Sequence, residues 1–568
     1  MYARRQTWGT VFALLSIGAG LFIREPLLNS PPKEYWTVRQ YPSLLKARAI
    51  YRLMAMDNQT RTRPVETPSL SKANHIHLVE PPVRELLAAR IYKVRGKEEY
   101  WPLQAMSLAA WGIGAFFLYL LCSFWRGPVM GCAAVAFFMF FPYGHLASIG
   151  IMPDVPMTGL LIAGMWSIHW YGLKRSAYRF VVSALICALT VFIKPGVSQF
   201  AVILAFLLSA WSNARTGCFK EWRNYVWGLV TLGPAVVWLL MNTLLGGGWF
   251  ERILAQGGPW ANPQSGPMID PYGFHPILNI KPSYLLTLRF WRAWLGNLVT
   301  IFAPWGVGAG LAGLALLAGG KNKPVVLFGW IAGYLAQCCL TTWTTMSHDY
   351  WHLQAIPLAA IGVGTLANTV YGTAKNEASR KTLIFMAGAG MLGALLMGYE
   401  GYKDSKALEN DSWYENACKE IGSAVNHSPH CLFMDWDSGW SLRYFADIGG
   451  GLWPDTDQLV RVRRDGLPLL SDWERKTLET RMEELAQRQG AAFEYFICMR
   501  KLEDLDNQPD LRAYLADKPM VVQGPRYCVW DLREANKPVS TPFKKSPKTN
   551  HDQLSGISHP ANSEDNLR

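Results

Sequence analysis

A set of ionisable side chains stands at the ends of apolar segments, where charge is costly enough to need a reason. Asp154 falls in GIMPDVPMTG, Lys194 in VFIKPGV, and His348, Asp349 and Tyr350 in MSHDYWHLQAIP. A long polar segment earlier in the chain adds Arg39, Glu80 and Arg84. Singly, each has an ordinary explanation: a Lys reaches out of an apolar run towards polar surroundings, and an Asp ahead of Val-Pro caps a helix. Jointly they supply two kinds of chemistry. Cations can hold a phosphate as it departs, and a carboxylate can take the proton of an attacking hydroxyl. His75, His77 and Glu80 form a His-x-His-x-x-Glu cluster whose donors suit a divalent metal, or hydrogen bonding on a loop. No other cofactor is indicated.

These residues must be positioned by membrane-length helices. The 568-residue chain is 50% hydrophobic and only 17% charged, too apolar for an ordinary soluble enzyme. Apolar runs of spanning length, roughly 17 to 25 residues, fall near 7–23, 103–124, 128–147, 152–172, 177–193, 197–213, 225–245, 294–318, 324–343, 353–371 and 382–398. The expected fold class is therefore an all-α polytopic membrane protein of about eleven transmembrane helices. Basic residues concentrate in alternate short loops, at Arg4 and Arg5, Arg126, Lys174 and Arg175, Arg215 and Lys220, Lys321 and Lys323, and Arg380 and Lys381. The positive-inside rule puts those loops in the cytoplasm and the remaining ones outside. Topology thus accounts for much of the net charge of +13, and no nucleic-acid partner is needed to explain it. The first run reads as an anchor in an inner, cytoplasmic membrane rather than a cleaved signal.

Three outward segments are too long to be turns: 24–102, 246–293, and everything after 398. The first holds two stretches of helical periodicity, 42–54 and 81–94, suited to helices lying in the membrane interface or to amphipathic helices of a loop domain. Residues 246–293 are rich enough in Pro and Gly to form a lid over the site, or a plain connector. Residues 1–399 are read as the transmembrane domain and 400–535 as a small C-terminal α/β extracytoplasmic domain. Residues 536–568, poor in apolar side chains, are read as a disordered tail. Of ten cysteines, Cys418, Cys431, Cys498 and Cys528 lie in the outward domain, where one or two disulfides could form.

Taken in order, WTVRQYPSLLKARAIYRLM, HIHLVEPPVRELLAARIY, MPDVPMTGLLIAG, FIKPG and SHDYWHLQAIP resemble the landmarks of the glycosyltransferase C superfamily. In particular they resemble bacterial relatives of the dolichyl-phosphate-mannose protein mannosyltransferases and the lipid A aminoarabinose transferase. The resemblance covers about residues 1–400. It implies an inverting glycosyltransferase that moves a sugar from a polyprenyl-monophosphate donor to a hydroxyl of a glycan, lipid or protein acceptor outside the membrane. On it, Asp154 and Glu80 take the catalytic positions; Lys194, His348, Arg39 and Arg84 fall by the donor phosphate; Asp349 and Tyr350 complete the site. One departure stands out. The family places an acidic residue near the start of the first-loop helix, where this chain reads Arg39-Gln40-Tyr41-Pro42. Glu80, Asp154 or Asp57 is left as base, Asp154 and Glu80 ranking first. The competing reading is a transporter of lipid-linked or amphipathic solutes; a third is a membrane scaffold whose tail binds a partner.

Overall fold

The computed structural model describes residues 2–32, 36–55, 80–245, 282–319, 324–374, 413–435, 439–456, 459, 473–489, 491–499 and 502–533. The expected eleventh span, the bulk of the 246–293 segment, His75, His77, Asp57 and the 536–568 tail lie outside them.

The apolar runs form helices. They are α1 (Tyr2–Arg24), then, after two first-loop helices α2 (Thr37–Ala55) and α3 (Val83–Arg95), α4 (Trp101–Arg126), α5 (Pro128–Phe140), α6 (Pro142–Ala147), α7 (Asp154–Leu173), α8 (Ala177–Ile193), α9 (Gln199–Ala214) and α10 (Trp222–Leu245). There follow α11 (Leu288–Ala318), α12 (Val325–Leu340), the short α13 (Thr342–Ser347) and α14 (Ala355–Thr373). Among the described residues six helices are long and apolar enough to cross a membrane, and α5, α8 and α12 are shorter apolar helices. The chain is an integral membrane protein.

Helices pack closely where small residues face one another, since lipid offers no hydrophobic drive for association and contact must come from shape. Gly329 and Gly333 of α12 lie on Ala205 and Ala201 of α9 respectively, Gly313 of α11 meets Gly362 of α14, and Gly159 of α7 lies against the backbone of Ala110 in α4. The expected single span 128–147 is broken at Phe141, which is extended ahead of Pro142 because proline disfavours the helical region for its predecessor. Arg24, fully buried, takes up carbonyls near the break, donating to Met139 O (2.6 Å) and Gly144 O (3.4 Å), to Gly20 O (2.6 Å) and to the Ser148 hydroxyl (2.5 Å).

The first-loop helices differ from expectation in extent and setting. α2 begins five residues before Pro42, which stands inside it. Proline there leaves the Val38 carbonyl without its helical donor, and the first turn is held instead by side chains: the Ile151 amide donates to Gln40 Oε1 (2.7 Å). Every residue from Ser43 to Ile50 is buried, so the middle of α2 is enclosed on all sides rather than floating with one face exposed.

The tail domain is a three-layer α/β unit. α15 (Trp413–Ala424) and α16 (Trp440–Ala446) cover one face of a sheet in the order β2-β1-β3-β5-β4, and α17 (Leu478–Gln489) and α18 (Pro509–Ala516) cover the other. The strands are β1 (Cys431–Met434), β2 (Gly450–Leu452), β3 (Tyr495–Met499), β4 (Met520–Gly524) and β5 (Tyr527–Asp531); β1 is parallel to β2 and β3, and β5 is antiparallel to β3 and β4. β1 and β3 are buried throughout, which is why CLFM and YFICM read as unbroken apolar runs. Among the described residues no disulfide joins the four tail cysteines. Cys418 and Cys431 sit in the core on one face of the sheet, and Cys498 and Cys528 are cross-strand neighbours on the other.

Candidate active site

The site is built where α7 begins and α8 ends. Asp154 is the first residue of α7 and Lys194 the residue after α8, and the Lys194 ammonium is paired with Asp154 Oδ1. The pair is almost sealed, the side chains 0% and 3% exposed. Asp154 Oδ2 has no hydrogen-bond partner among the described residues. Two charges taken out of water cost several kcal/mol each unless well compensated, so the pair must be held by its surroundings. Part of that support is aromatic. Lys194 Nζ lies 5.4 Å from the Tyr350 ring centroid and 5.3 Å from that of Trp351, within the range of cation–π attraction.

Those rings are carried by the 3-10 turn Asp349–His352, between α13 and α14. The turn is anchored underneath by buried hydrogen bonds. A carbonyl can only accept, so His352 Nε2–H donates to Thr345 O (2.9 Å), and in the neutral ring Nδ1 then accepts from the Tyr334 hydroxyl (2.7 Å). Asn297 of α11 donates to Thr345 O and Met346 O at 2.9 and 3.2 Å. His348 stands at the margin of the cluster, its Nδ1 2.7 Å from the Ser347 hydroxyl and its ring centroid 5.1 Å from that of Tyr350. Asp349 opens the turn.

The first loop closes the other side. Arg39 of α2 lies over Tyr350, 5.8 Å from its centroid, and donates to Glu80 Oε1 at 2.5 Å. Lys46, two turns along α2, is 3.9 Å from Glu80 Oε2. Burial alone would raise the Glu80 carboxyl, but the charges of Arg39, Lys46 and Lys194 outweigh it and hold the group at about 2. Arg39 is held above its ordinary value, Glu80, Tyr350 and Asp154 outweighing the burial that would lower it. Just before α2, Trp36 sits at φ 58°, a strained conformation for a bulky residue, with its ring edge-on to Tyr350 at 4.6 Å. Arg84 of α3 is buried a little further along α2, 3.5 Å from the Ser43 hydroxyl and 3.4 Å from Glu85; its Nη1 has no hydrogen-bond partner among the described residues.

Asp154, Lys194, Tyr350, Arg39 and Glu80 are thus brought into one continuous cluster. His348 and Asp349 border it, and Arg84 lies on the same face of α2 without touching the pair at Glu80. Sequence reasoning missed Lys46. Arg39, Ser43 and Lys46 fall on one face only if the helix runs through Pro42, and starting it at Pro42 hid that relation. Trp351 was also missed, although the Tyr-Trp pair in HDYWH was its signal. Of the proposed His-x-His-x-x-Glu cluster only Glu80 is described, and both its oxygens face cations. Among the described residues no group of three or more His, Cys, Asp or Glu stands together as a metal site.

The bundle, the first-loop helices and the tail domain together share their fold with solved structures of two other proteins, ArnT and AglB. The fold is similar to that of ArnT from Cupriavidus metallidurans bound to undecaprenyl phosphate, with TM-score 0.54 and 12% identity over 93% of this chain and 98% of that one. Against the apo state of the same protein the values are 0.51 and 13%, over 92% and 98%. It is also similar to the oligosaccharyltransferase AglB from Archaeoglobus fulgidus in complex with an inhibitory peptide and a dolichol-phosphate, with TM-score 0.52 and 12% identity over 89% of this chain and 72% of that one. No protein-family model matches the sequence, and no curated protein does.

Proposed function

We propose that the protein is a membrane glycosyltransferase that transfers a sugar from a polyprenyl-monophosphate donor to an acceptor hydroxyl of a glycan, lipid or protein, with inversion at the anomeric carbon. The observation that carries the reading is the meeting of cations and carboxylates from three separate segments, α2 with Glu80, the α7–α8 ends, and the 349–352 turn, on one cluster. The similarity in fold to proteins whose complexes hold undecaprenyl phosphate and dolichol-phosphate supports it. The topology reading puts the site and the tail domain outside an inner membrane.

In the reaction the acceptor oxygen forms a bond to the anomeric carbon as the bond to the lipid phosphate breaks. The hydroxyl proton passes to a carboxylate, and the electron pair leaves with the phosphate. Lys194 and Arg39, with Lys46, Arg84 and His348 around them, are assigned to the phosphate charge. The two carboxylates differ in access. Glu80 keeps 14% of its side chain exposed and Asp154 none, so Glu80 is assigned as the carboxylate that meets the acceptor and Asp154 as the one that fixes Lys194. A base held so far below neutrality is weak in isolation. It gains strength when a bound phosphate competes for Arg39, Lys46 and Lys194, which couples base to donor.

The test is transfer from a panel of radiolabelled polyprenyl-phosphate sugars by the purified full chain, with release of polyprenyl phosphate. Loss of transfer in both Asp154→Asn and Glu80→Gln variants that accumulate normally is the expected result. Full transfer by both, or vesicle uptake of the lipid-linked sugar without transfer, would overturn the reading.

A further inference from the structure

α2 has a second face. On a helix of 3.6 residues per turn, Arg39, Ser43 and Lys46 point one way, towards Glu80 and the turn, while Tyr41, Leu44, Arg48 and Arg52 point the opposite way. That opposite face is seized by the tail domain. The Arg48 guanidinium lies 3.8 Å from the centroid of the Tyr444 ring of α16 and donates to the Tyr444 carbonyl at 2.6 Å. Its Nε donates to Glu98 Oε2 at 2.5 Å. Arg52 spans Glu98, at 3.4 Å, and Asp447, at 3.0 Å. Tyr41, 2% exposed, packs against Tyr444 and Phe445 with centroids 5.3 and 5.5 Å away. Tyr444, with Trp440 and Phe445 beside it, joins an apolar cluster of first-loop and bundle residues, among them Leu44, Tyr92, Leu103 and Ile151.

The grip falls on the part of α2 that most needs one. Pro42 deletes a hydrogen bond between the turn carrying Arg39 and the turn carrying Lys46, so the helix cannot by itself fix one cation relative to the other. Arg48 sits just beyond Lys46 and Tyr41 just beyond Arg39, and both close on the same residue of the tail domain. Asp447, which receives Arg52, is at φ 50°, a left-handed conformation that Asp tolerates only at a cost and that the ion pair helps to hold.

We propose that Arg48 and Tyr444 are positioning residues: through them the tail domain locks α2 in the rotation that presents Arg39 and Lys46 together to the donor phosphate. This rests on the reading of those two cations as phosphate ligands. It makes the tail domain part of donor binding, although none of its described residues stands in the cluster.

The probe is undecaprenyl phosphate, titrated into the purified full-length protein in nanodiscs. Arg48→Met should weaken binding about tenfold in the wild-type background. In an Arg39→Gln, Lys46→Met background the same change should have no further effect, because contacts coupled through a shared element are non-additive. Arg533→Met, which removes the cation 4.6 Å from the Tyr495 ring elsewhere in the tail domain, should leave binding unchanged. If Arg48→Met does not accumulate, Tyr444→Leu carries the test, since it keeps the carbonyl and removes only the ring. Binding by Arg48→Met equal to wild type, while Arg39→Gln weakens it measurably, overturns the clamp and leaves the phosphate reading standing. Equal losses from Arg48→Met in both backgrounds also overturn it. Wild-type protein that binds no undecaprenyl phosphate overturns both.

Discussion

The two ends of the helical bundle use the same contacts in different surroundings. At one end Arg175 pairs with Glu221 and Arg179 lies 4.6 Å from the Trp170 ring centroid. At the other Lys194 pairs with Asp154 and lies over Tyr350 and Trp351. The Arg175–Glu221 side chains keep 23% and 26% exposure, as cations reaching out of an apolar bundle do. The Asp154–Lys194 pair has almost none and is enclosed by a loop helix and a turn from distant parts of the chain. An ion pair with a nearby aromatic ring therefore says little by itself. Burial, and the number of separate segments recruited to achieve it, distinguish the end to which the chemistry is assigned.

The largest effect should come from removing one member of the buried pair. Lys194→Met strands Asp154, a change costing about 3–5 kcal/mol for buried pairs, and undecaprenyl phosphate affinity should fall at least about 100-fold at about 1.4 kcal/mol per decade. A loss under fivefold by titration would erase the distinction between the two ends. Glu80→Gln should lower single-turnover transfer about 100-fold, in the range of general base catalysis, with donor binding changed less than about threefold; a defect confined to binding would move Glu80 from base to ligand. Tyr350→Leu removes a ring facing two cations and should weaken donor binding about tenfold, cation–π contacts being worth up to about 2 kcal/mol when desolvated. Tyr350→Phe, which keeps the ring, should stay within about twofold by the same logic. At the opposite end Arg175→Ala should change donor binding less than about twofold, as exposed pairs contribute about 0–1 kcal/mol.

The pH dependence of stability sharpens the loop side. Glu80 is held at about 2, below its ordinary 4.5, so its ionised form stabilises the fold above about 4.5 and that contribution is lost as pH falls towards 2. The difference in melting temperature between wild type and Glu80→Gln should be constant from pH 5 to 8 and shrink only below about pH 4.5. A difference that titrates near neutrality would mean that Arg39 and Lys46 do not hold the carboxylate.

The bundle was legible because its signals are local. Apolar runs report helices, and Asp154, Lys194 and the HDYWH segment announce themselves as polar breaks in such runs. The buried strands CLFM and YFICM were legible for the same reason. Relations set by tertiary contact were not. Proline in the first-loop segment reads as a boundary, yet α2 continues through Pro42 because Gln40 and the tail domain hold it, and with the boundary misplaced Lys46 vanished from the site. α16 and β2 were missed because WSLRYFA and GGL are too short to establish a period. Arg48 looked like one more cation on an amphipathic helix. Only the fold reveals that its partner lies nearly four hundred residues away.

Gly159 gives the site a dependence that no charge count would find. One turn into α7 from Asp154, it lies so close to the Ala110 carbonyl that a side chain would collide with it. Replacing one hydrogen by a methyl group would force α4 and α7 apart and carry Asp154 away from Lys194. The spacing of the charged pair is thus written partly in missing atoms, and mutational tolerance should be low at a position outside the charged cluster.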